Sequence, residues 1–157
     1  MTPGGLYLCV NHGYRLLKLD QPVAVKSTPI VAKKQYDHVF FDGDFDGADL
    51  NTIVCSVYCP NCKENALRIG IQEFLGKKIQ TLINDSILSE EQVLDNGIAD
   101  KYSFGDFLSY VTKLGGTAEY VVVECGKCNA RLLGVVSVRE TQPARYMVAL
   151  NGVWIIT

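Results

Sequence analysis

Four of the six cysteines form two Cys-x-x-Cys pairs, a spacing suited to metal binding. The first pair is Cys59 and Cys62, and the second is Cys125 and Cys128. Two such turns can complete a tetrahedral sulfur shell, which suits zinc and leaves no position for water or substrate. The sequence therefore predicts one structural zinc ion. The alternatives are a redox-active pair, unligated core cysteines and an iron–sulfur cluster.

The other two cysteines, Cys9 and Cys55, lie in apolar segments. We expect both to be buried as small hydrophobic side chains. A catalytic cysteine would need a nearby base, and the chain has two histidines, His12 and His38. Because His12 closely follows Cys9, a Cys–His dyad at this point is the alternative to burial.

An acidic segment could carry a second kind of metal chemistry. Asp42, Asp44 and Asp46 stand at alternate positions, as the oxygen ligands of a calcium loop do. The twelfth position of such a loop needs a bidentate acid, and here it is Ile53. We therefore expect a solvated acidic turn. The alternatives are a weak Ca²⁺ or Mg²⁺ site, and a divalent-metal-dependent hydrolase or nuclease that uses residues 42–49.

Basic residues on the predicted C-terminal strands could contact nucleic acid. Arg131, Arg139 and Arg145 are interspersed with tyrosines, and such a surface can hold phosphates and stack bases. The formal net charge of −2, however, shows no strongly basic field. A solvated basic surface is the expectation, and RNA or DNA binding through these arginines is the alternative.

The elements that must position these residues are predicted to be strands around a helical insert. Residues 52–58 and 120–123 are β-rich and lead into the two cysteine pairs, and residues 131–138 lead out of the second pair. Between the pairs, residues 71–115 are predicted to form two or three short helices, because apolar residues recur there at helical spacing. That spacing is shown by Ile71, Phe74, Ile79, Leu82, Phe104, Phe107, Leu108 and Val111.

Local signals indicate where elements start and turn. Ser89 with Gln92 fits a capping box at a helix start, and Ser103 with Asp106 is a weaker version of it. The Asn151-Gly152 dipeptide between apolar runs predicts a two-residue β-hairpin. A second hairpin is predicted near the N-terminus, where residues 5–10 and 14–19 flank a short turn.

The order of elements predicts an α+β fold with a mainly antiparallel sheet. Two zinc-knuckle hairpins would be joined by the four-cysteine zinc site. We expect residues 1–157 to form a single domain, in which an N-terminal β extension, residues 1–52, packs on a zinc-binding core, residues 53–157. A chain of 157 residues can bury a core without covalent help.

Composition limits the broad class of protein. Apolar residues make up 48% and charged residues 20% of the chain, which is ordinary for a globular protein. No segment approaches the ~18 apolar residues of a transmembrane helix, and no signal peptide is evident. We expect an intracellular, cytoplasmic protein that does not engage a membrane, and six cysteines in that setting favour metal binding over disulfides.

These features resemble the β-tent arrangement, in which one zinc ion clamps two knuckle hairpins. That group includes yippee-like proteins, the ligand-binding domain of cereblon, methionine sulfoxide reductase B and the C-terminal domain of RIG-I-like receptors. The resemblance covers residues 53–157 and rests on the two cysteine pairs, Leu133-Gly134 and a closing apolar strand. It implies a fold only. The catalytic cysteine of the reductase has no counterpart, since no cysteine follows Cys128.

The sequence predicts a non-enzymatic, zinc-stabilised interaction module that binds another macromolecule, and the expected partner is a protein. The sequence contains no glycine-rich phosphate loop or serine-hydrolase elbow. The strand around Trp154 could pair within the chain or across a homodimer, and the oligomeric state is left open.

Overall fold

The computed structural model describes residues 13–31 and 39–157, without the side chains of residues 27–31. Cys9, His12, His38 and the predicted strand at residues 5–10 lie outside this part. Short 3-10 turns occur at Leu50–Thr52 and Ile71–Glu73. The strands and helices in the described residues are β1 (Tyr14–Leu16), β2 (Val25–Val31), β3 (Val39–Gly43), β4 (Val54–Tyr58), β5 (Ala66–Gly70), α1 (Ile79–Asn84), α2 (Glu90–Asp95), β6 (Asp100–Phe104), β7 (Phe107–Val111), β8 (Thr117–Cys125), β9 (Arg131–Gln142) and β10 (Arg145–Ile156).

The main sheet is antiparallel and is built on the long strands β8, β9 and β10. In the described part of the chain its order is β2-β10-β9-β8-β7-β6, and β1 and β3 pair with the outer edges of β8 and β10. Each outer edge of the central three strands is thus paired with two short strands. β4 and β5 form a separate antiparallel pair. The prediction of a mainly antiparallel sheet with short helices is confirmed.

The main sheet is buried on both faces, because its central strands carry apolar residues at successive positions. Val121 and Val123 face a core that includes Leu67 of β5 and Phe74. Val122, between them, faces a second core formed with α1, α2 and the fully buried Trp154. Burial of both faces explains why Val121, Val122 and Val123 form an uninterrupted apolar run within β8.

The predicted hairpin at Asn151-Gly152 is wrong, since β10 continues through these residues as one strand. Leu150 pairs with Val136 and Gly152 pairs with Val135, so Asn151 is the extra residue of a β-bulge. Asn151 is buried, and its side-chain amide donates to the Ile98 carbonyl at 3.0 Å. The Asn-Gly dipeptide is therefore part of a bulge and not of a turn, because the residues on both sides of it pair with β9.

The helical insert predicted over residues 71–115 is wrong in its second half. Residues 100–111 form the β6–β7 hairpin, in which Phe104 lies opposite Phe107 across a two-residue turn. Gly105 in that turn has a φ of 59°, which glycine adopts without strain. Residues three apart can share a helix face, but they can also face each other across such a turn, so the apolar spacing was ambiguous.

The first half of the insert contains the two helices, and Ser89 caps the second as predicted. The Ser89 hydroxyl accepts from the Gln92 amide at 3.1 Å. The Gln92 side chain does not complete a reciprocal box. Its carbonyl accepts from the Val25 amide at 2.8 Å, and its amide donates to the Val23 carbonyl at 3.3 Å. Gln92 therefore ties α2 to the N-terminal part of the sheet.

Candidate metal centre

Two strand pairs carry the four cysteines. Cys59 and Cys62 lie between β4 and β5, whereas Cys125 is the last residue of β8 and Cys128 lies between β8 and β9. The two connecting segments fold alike. The Lys63 amide donates to the Cys59 carbonyl at 2.8 Å, and the Asn129 amide donates to the Cys125 carbonyl at 3.0 Å.

The same segments each contain one residue in the left-handed region. Lys63 has a φ of 60° and Asn129 a φ of 62°, and each directly follows the second cysteine of its pair. This conformation is uncommon for residues other than glycine and marks a tight turn. Two turns of the same shape therefore present their thiols to one point.

The four sulfur atoms form one compact group, all within 4.8 Å of one another. The Cys59 and Cys128 sulfurs are 3.7 Å apart, and those of Cys62 and Cys125 are 3.9 Å apart. Four sulfurs at ~2.3 Å from a tetrahedral zinc ion would lie about 3.8 Å from one another. The cluster can therefore bind a metal ion, and its dimensions are compatible with a structural ion such as zinc.

Amide donors surround the sulfur atoms. The Asn61 side chain donates to the Cys128 sulfur at 3.3 Å, and the Asn65 side chain donates to the Cys125 sulfur at 3.3 Å. The Lys127 amide lies 3.4 Å from the Cys125 sulfur. Hydrogen bonds to thiolates offset the negative charge of a four-sulfur shell and orient its ligands. Both asparagines reach from the first cysteine segment to the second, so the donors also join the two segments.

The local environment shifts the pKa values of the Cys59 and Cys128 thiols in opposite directions. Cys59 is fully buried, and burial raises the pKa of its thiol to about 12. Burial also opposes ionisation of Cys128, yet hydrogen bonds from the Asn61 side chain and the Ala130 backbone outweigh it and lower the pKa to about 6. A metal ligand must be the thiolate, so ion binding would have to displace the proton of Cys59.

The N-terminal strand docks directly on both cysteine segments through Gly13, which sequence reasoning assigned only to a turn. The Gly13 carbonyl accepts from the Gly126 amide at 2.9 Å and from the Asn65 side chain at 2.6 Å. Gly13 has a φ of 81°, and a Cβ there would meet the Ala66 carbonyl oxygen at 2.3 Å. Only glycine fits this position, because the backbone approaches β5 too closely for a side chain.

The acidic segment engages its carboxylates in local contacts. Asp42 forms an ion pair of 3.1 Å with Arg145, and the Asp44 carboxylate accepts from the Asp46 amide at 2.8 Å. Asp49 caps the turn at Leu50–Thr52. Within residues 13–31 and 39–157, only the four cysteines bring three or more ligating side chains close enough to share an ion, and the aspartates of the acidic segment do not. The Ca²⁺ or Mg²⁺ site stays a prediction.

The three arginines do not form one patch. Arg131 and Arg139 stand eight residues apart on β9, which is ~26 Å along an extended strand. Arg131 pairs in register with Glu124 near the cysteines, whereas Arg145 lies at the far end and is bound to Asp42. Nucleic-acid contact through these residues stays a prediction, and a single ligand would have to span the sheet to touch all three.

Cys55 is buried as expected, with 3% of its surface exposed, and burial raises the pKa of its thiol to about 12. A thiol in that state is a poor nucleophile. None of the helices in the described stretches is long and apolar enough to cross a membrane.

No protein-family model, curated protein or solved structure matches this chain. The resemblance to β-tent proteins therefore rests on the sequence features that suggested it.

Proposed function

We propose that this chain is a zinc-stabilised, non-catalytic interaction module that binds another protein. The observation that carries the proposal is the group of four cysteine sulfurs within 4.8 Å of one another, at the point where two strand pairs meet. Four thiolates are a closed shell for zinc, so the ion would hold no water or substrate. Its part would be to fix β4–β5 against β8–β9.

Zinc fits the donor set better than other metals. Sulfur ligands in a tetrahedral arrangement favour zinc or iron–sulfur chemistry over magnesium, calcium or manganese, which prefer oxygen. The separations of 3.7 and 3.9 Å suit a single ion at the centre of the group. A cluster of several iron atoms would need the sulfurs to lie further apart.

A protein partner is favoured over nucleic acid by the distribution of surface groups. The formal net charge is −2, and the arginines are spread along the length of β9 and β10. In contrast, three large exposed aromatic side chains, Tyr102, Phe104 and Phe107, share one face of the β6–β7 hairpin. Grouped apolar residues on a surface are typical of protein interaction sites.

Native mass spectrometry of the chain, purified from cells under non-denaturing conditions, tests this proposal. We expect one zinc ion per chain and a protein bound at fixed stoichiometry, which should reassemble from purified components. Anisotropy titrations with labelled RNA and DNA at two salt concentrations provide the comparison. Tight, salt-sensitive binding of an oligonucleotide would contradict the proposal and support the alternative through Arg131, Arg139 and Arg145.

The hydrolase alternative has its own test. If residues 42–49 bind a catalytic cation, then adding Mg²⁺ or Mn²⁺ should produce cleavage of RNA or DNA, and Asp44→Ala should abolish it. We expect no cleavage, because Asp42 is bound to Arg145 and Asp44 stabilises its own turn. Turnover that co-elutes with the protein and is lost in Asp44→Ala would overturn the non-catalytic assignment.

A further inference from the structure

The β6–β7 hairpin projects from the main sheet. β7 pairs with β8 only at Val111 and Thr117, at the base of the hairpin. All five residues of β6, Asp100–Phe104, are exposed. Within the described stretches of the chain, β6 pairs with β7 alone, so its other edge presents unpaired backbone amides and carbonyls. Such an edge is a template for another strand.

One face of this hairpin is aromatic and exposed. Side chains alternate along a strand, so Tyr102, Phe104 and Phe107 share a face. Their exposed fractions are 50%, 74% and 61%. Of the seven large hydrophobic side chains exposed in the described residues, five lie between Leu94 and Leu108. Leu94 belongs to α2 and Leu108 faces the other side of the hairpin, so the apolar patch consists of Tyr102, Phe104 and Phe107.

α2 lies against the opposite face and brings the Glu90 carboxylate to it. Glu90 of α2 accepts a hydrogen bond of 2.6 Å from the Tyr110 hydroxyl and forms an ion pair of 2.9 Å with Lys101. Lys101 is the one basic residue in the segment 89–108, which also contains five acidic residues. One basic residue and five acidic residues give this segment a formal net charge of −4, and Lys101 is already paired with Glu90. The acidic residues are Glu90, Glu91, Asp95, Asp100 and Asp106.

We propose that the β6–β7 hairpin is a docking surface for an extended segment of another protein, which alternates apolar and basic residues and pairs with β6 as an added strand. Main-chain hydrogen bonds to the free edge would supply affinity, and alternate side chains would supply specificity. The apolar residues would cover Tyr102 and Phe104. The basic residues, pointing to the other face, would meet the carboxylates of α2. This proposal rests on the proposed function, since it requires the partner to be a protein.

Charge complementarity disfavours the other occupants of this surface. A second copy of the chain would bring the same acidic segment, residues 89–108, to this edge, and like charges placed opposite each other are destabilising. Nucleic acid and anionic lipid would meet that negative surface as well. A basic segment gains both from the carboxylates and from covering the aromatic face.

The test uses the full-length, zinc-loaded protein and a fluorescein-labelled peptide of alternating valine and lysine, read by fluorescence anisotropy. Two peptides of equal length serve as controls, one with glutamate for lysine and one with serine for valine. We expect the valine–lysine peptide alone to bind. Phe104→Ser combined with Phe107→Ser should weaken it by about tenfold or more, the loss expected on truncating two anchoring aromatic residues. Tyr58→Ser, which removes an equally exposed aromatic residue near the cysteines, should leave binding unchanged.

Several results would overturn the assignment. The assignment is wrong if the valine–lysine peptide does not bind. It is also wrong if the serine–lysine peptide binds equally well, because binding would then depend on charge alone. Self-association or oligonucleotide binding that is lost in the Phe104→Ser/Phe107→Ser variant would assign the surface to a different occupant. If the protein contains one zinc ion per chain but does not bind the valine–lysine peptide, only the assignment of the docking surface is wrong. If the cysteines bind no zinc, the proposed function is wrong.

Discussion

The two ends of the long strands are built in opposite ways. At the cysteine end, Gly13 fits between Ala66 and Gly126. The Asn65 side chain donates hydrogen bonds to the Gly13 carbonyl and to the Cys125 sulfur. An ion pair between Lys127 and Glu64 joins the same two segments at the surface. At the other end, β6 is exposed along its whole length and pairs only with β7 among the described residues.

This difference indicates that the cysteine end stabilises the fold, whereas the hairpin end is available for binding a partner. At the cysteine end the contacts depend on one another, so a small change in one should disturb the others. At the hairpin end side chains are exposed and few contacts depend on them, so changes should alter binding and leave the fold intact. Each of the following changes tests one side of that contrast, and they are arranged from the largest expected effect to the smallest.

Replacing Cys125 with serine should have the largest effect. Cys125 is fully buried, and its loss removes one of four ligands and leaves an oxygen in a sulfur shell. Structural zinc contributes roughly 10–16 kcal/mol to the folding of small zinc domains. That range is comparable to the whole stability of a typical domain. We therefore expect Cys125→Ser to lose its metal and unfold, as measured by metal analysis and circular dichroism.

Cys55→Ala is the matched control, since Cys55 is also buried but lies outside the cluster. It should keep one metal ion per chain and remain folded. A Cys125→Ser protein as stable as Cys55→Ala would contradict a metal-dependent fold.

A pair of glycine substitutions compares the two ends directly. Gly13→Ala places a Cβ 2.3 Å from the Ala66 oxygen at a φ of 81°, and should destabilise by ~2–4 kcal/mol from overpacking and backbone strain. Gly105→Ala has a φ of 59° but no atom within 4 Å, and should cost only about 1 kcal/mol. Urea unfolding measures both. Equal losses would show that the cysteine end is not the more tightly constrained one.

Glu119 should give a smaller, pH-dependent effect. Its side chain is buried, and burial raises its pKa although the Gly76 amide and Lys78 act in the opposite direction. A carboxyl with a raised folded pKa stabilises the fold at acid pH, and this contribution is lost as pH rises through the raised value. Glu119→Gln should therefore gain stability relative to the natural protein as pH rises from about 4 to about 8. A difference that is constant with pH in urea unfolding would contradict the shift.

The smallest effect on stability should come from Phe104→Ser combined with Phe107→Ser. Both rings are mostly exposed, and surface substitutions usually change stability by no more than about 0.5 kcal/mol. The same variant should bind the peptide about tenfold more weakly, so one protein would show an effect on recognition without an effect on stability. A large drop in the urea midpoint of unfolding would show that the hairpin also stabilises the fold. The two ends of the molecule would then not differ in the way described above.

The cysteine cluster could be predicted because its signal is local. Each Cys-x-x-Cys pair specifies a turn, and the β-rich flanks of both pairs indicated strands that could bring the turns together. Ser89 was recognisable for the same reason, since a helix cap depends on neighbours three residues away.

The errors occurred where tertiary pairing decides between two local readings. Asn151-Gly152 fits a hairpin turn as well as a bulge, and only its register with β9 makes it a bulge. Phe104 and Phe107 fit a helix face as well as a strand pair. The contact of Gly13 with Ala66 joins residues more than fifty positions apart, so no local pattern could reveal it.

X-ray absorption at the zinc K-edge of the purified protein tests the central claim most directly, because it reads the ligands of the ion itself. The account predicts one zinc ion with four sulfur neighbours at about 2.3 Å and no nitrogen or oxygen in its first shell. The Cys59, Cys62, Cys125 and Cys128 thiols should be protected from alkylation until zinc is removed. A shell that contains nitrogen or oxygen, or a fully folded protein that holds no metal at these cysteines, would contradict it.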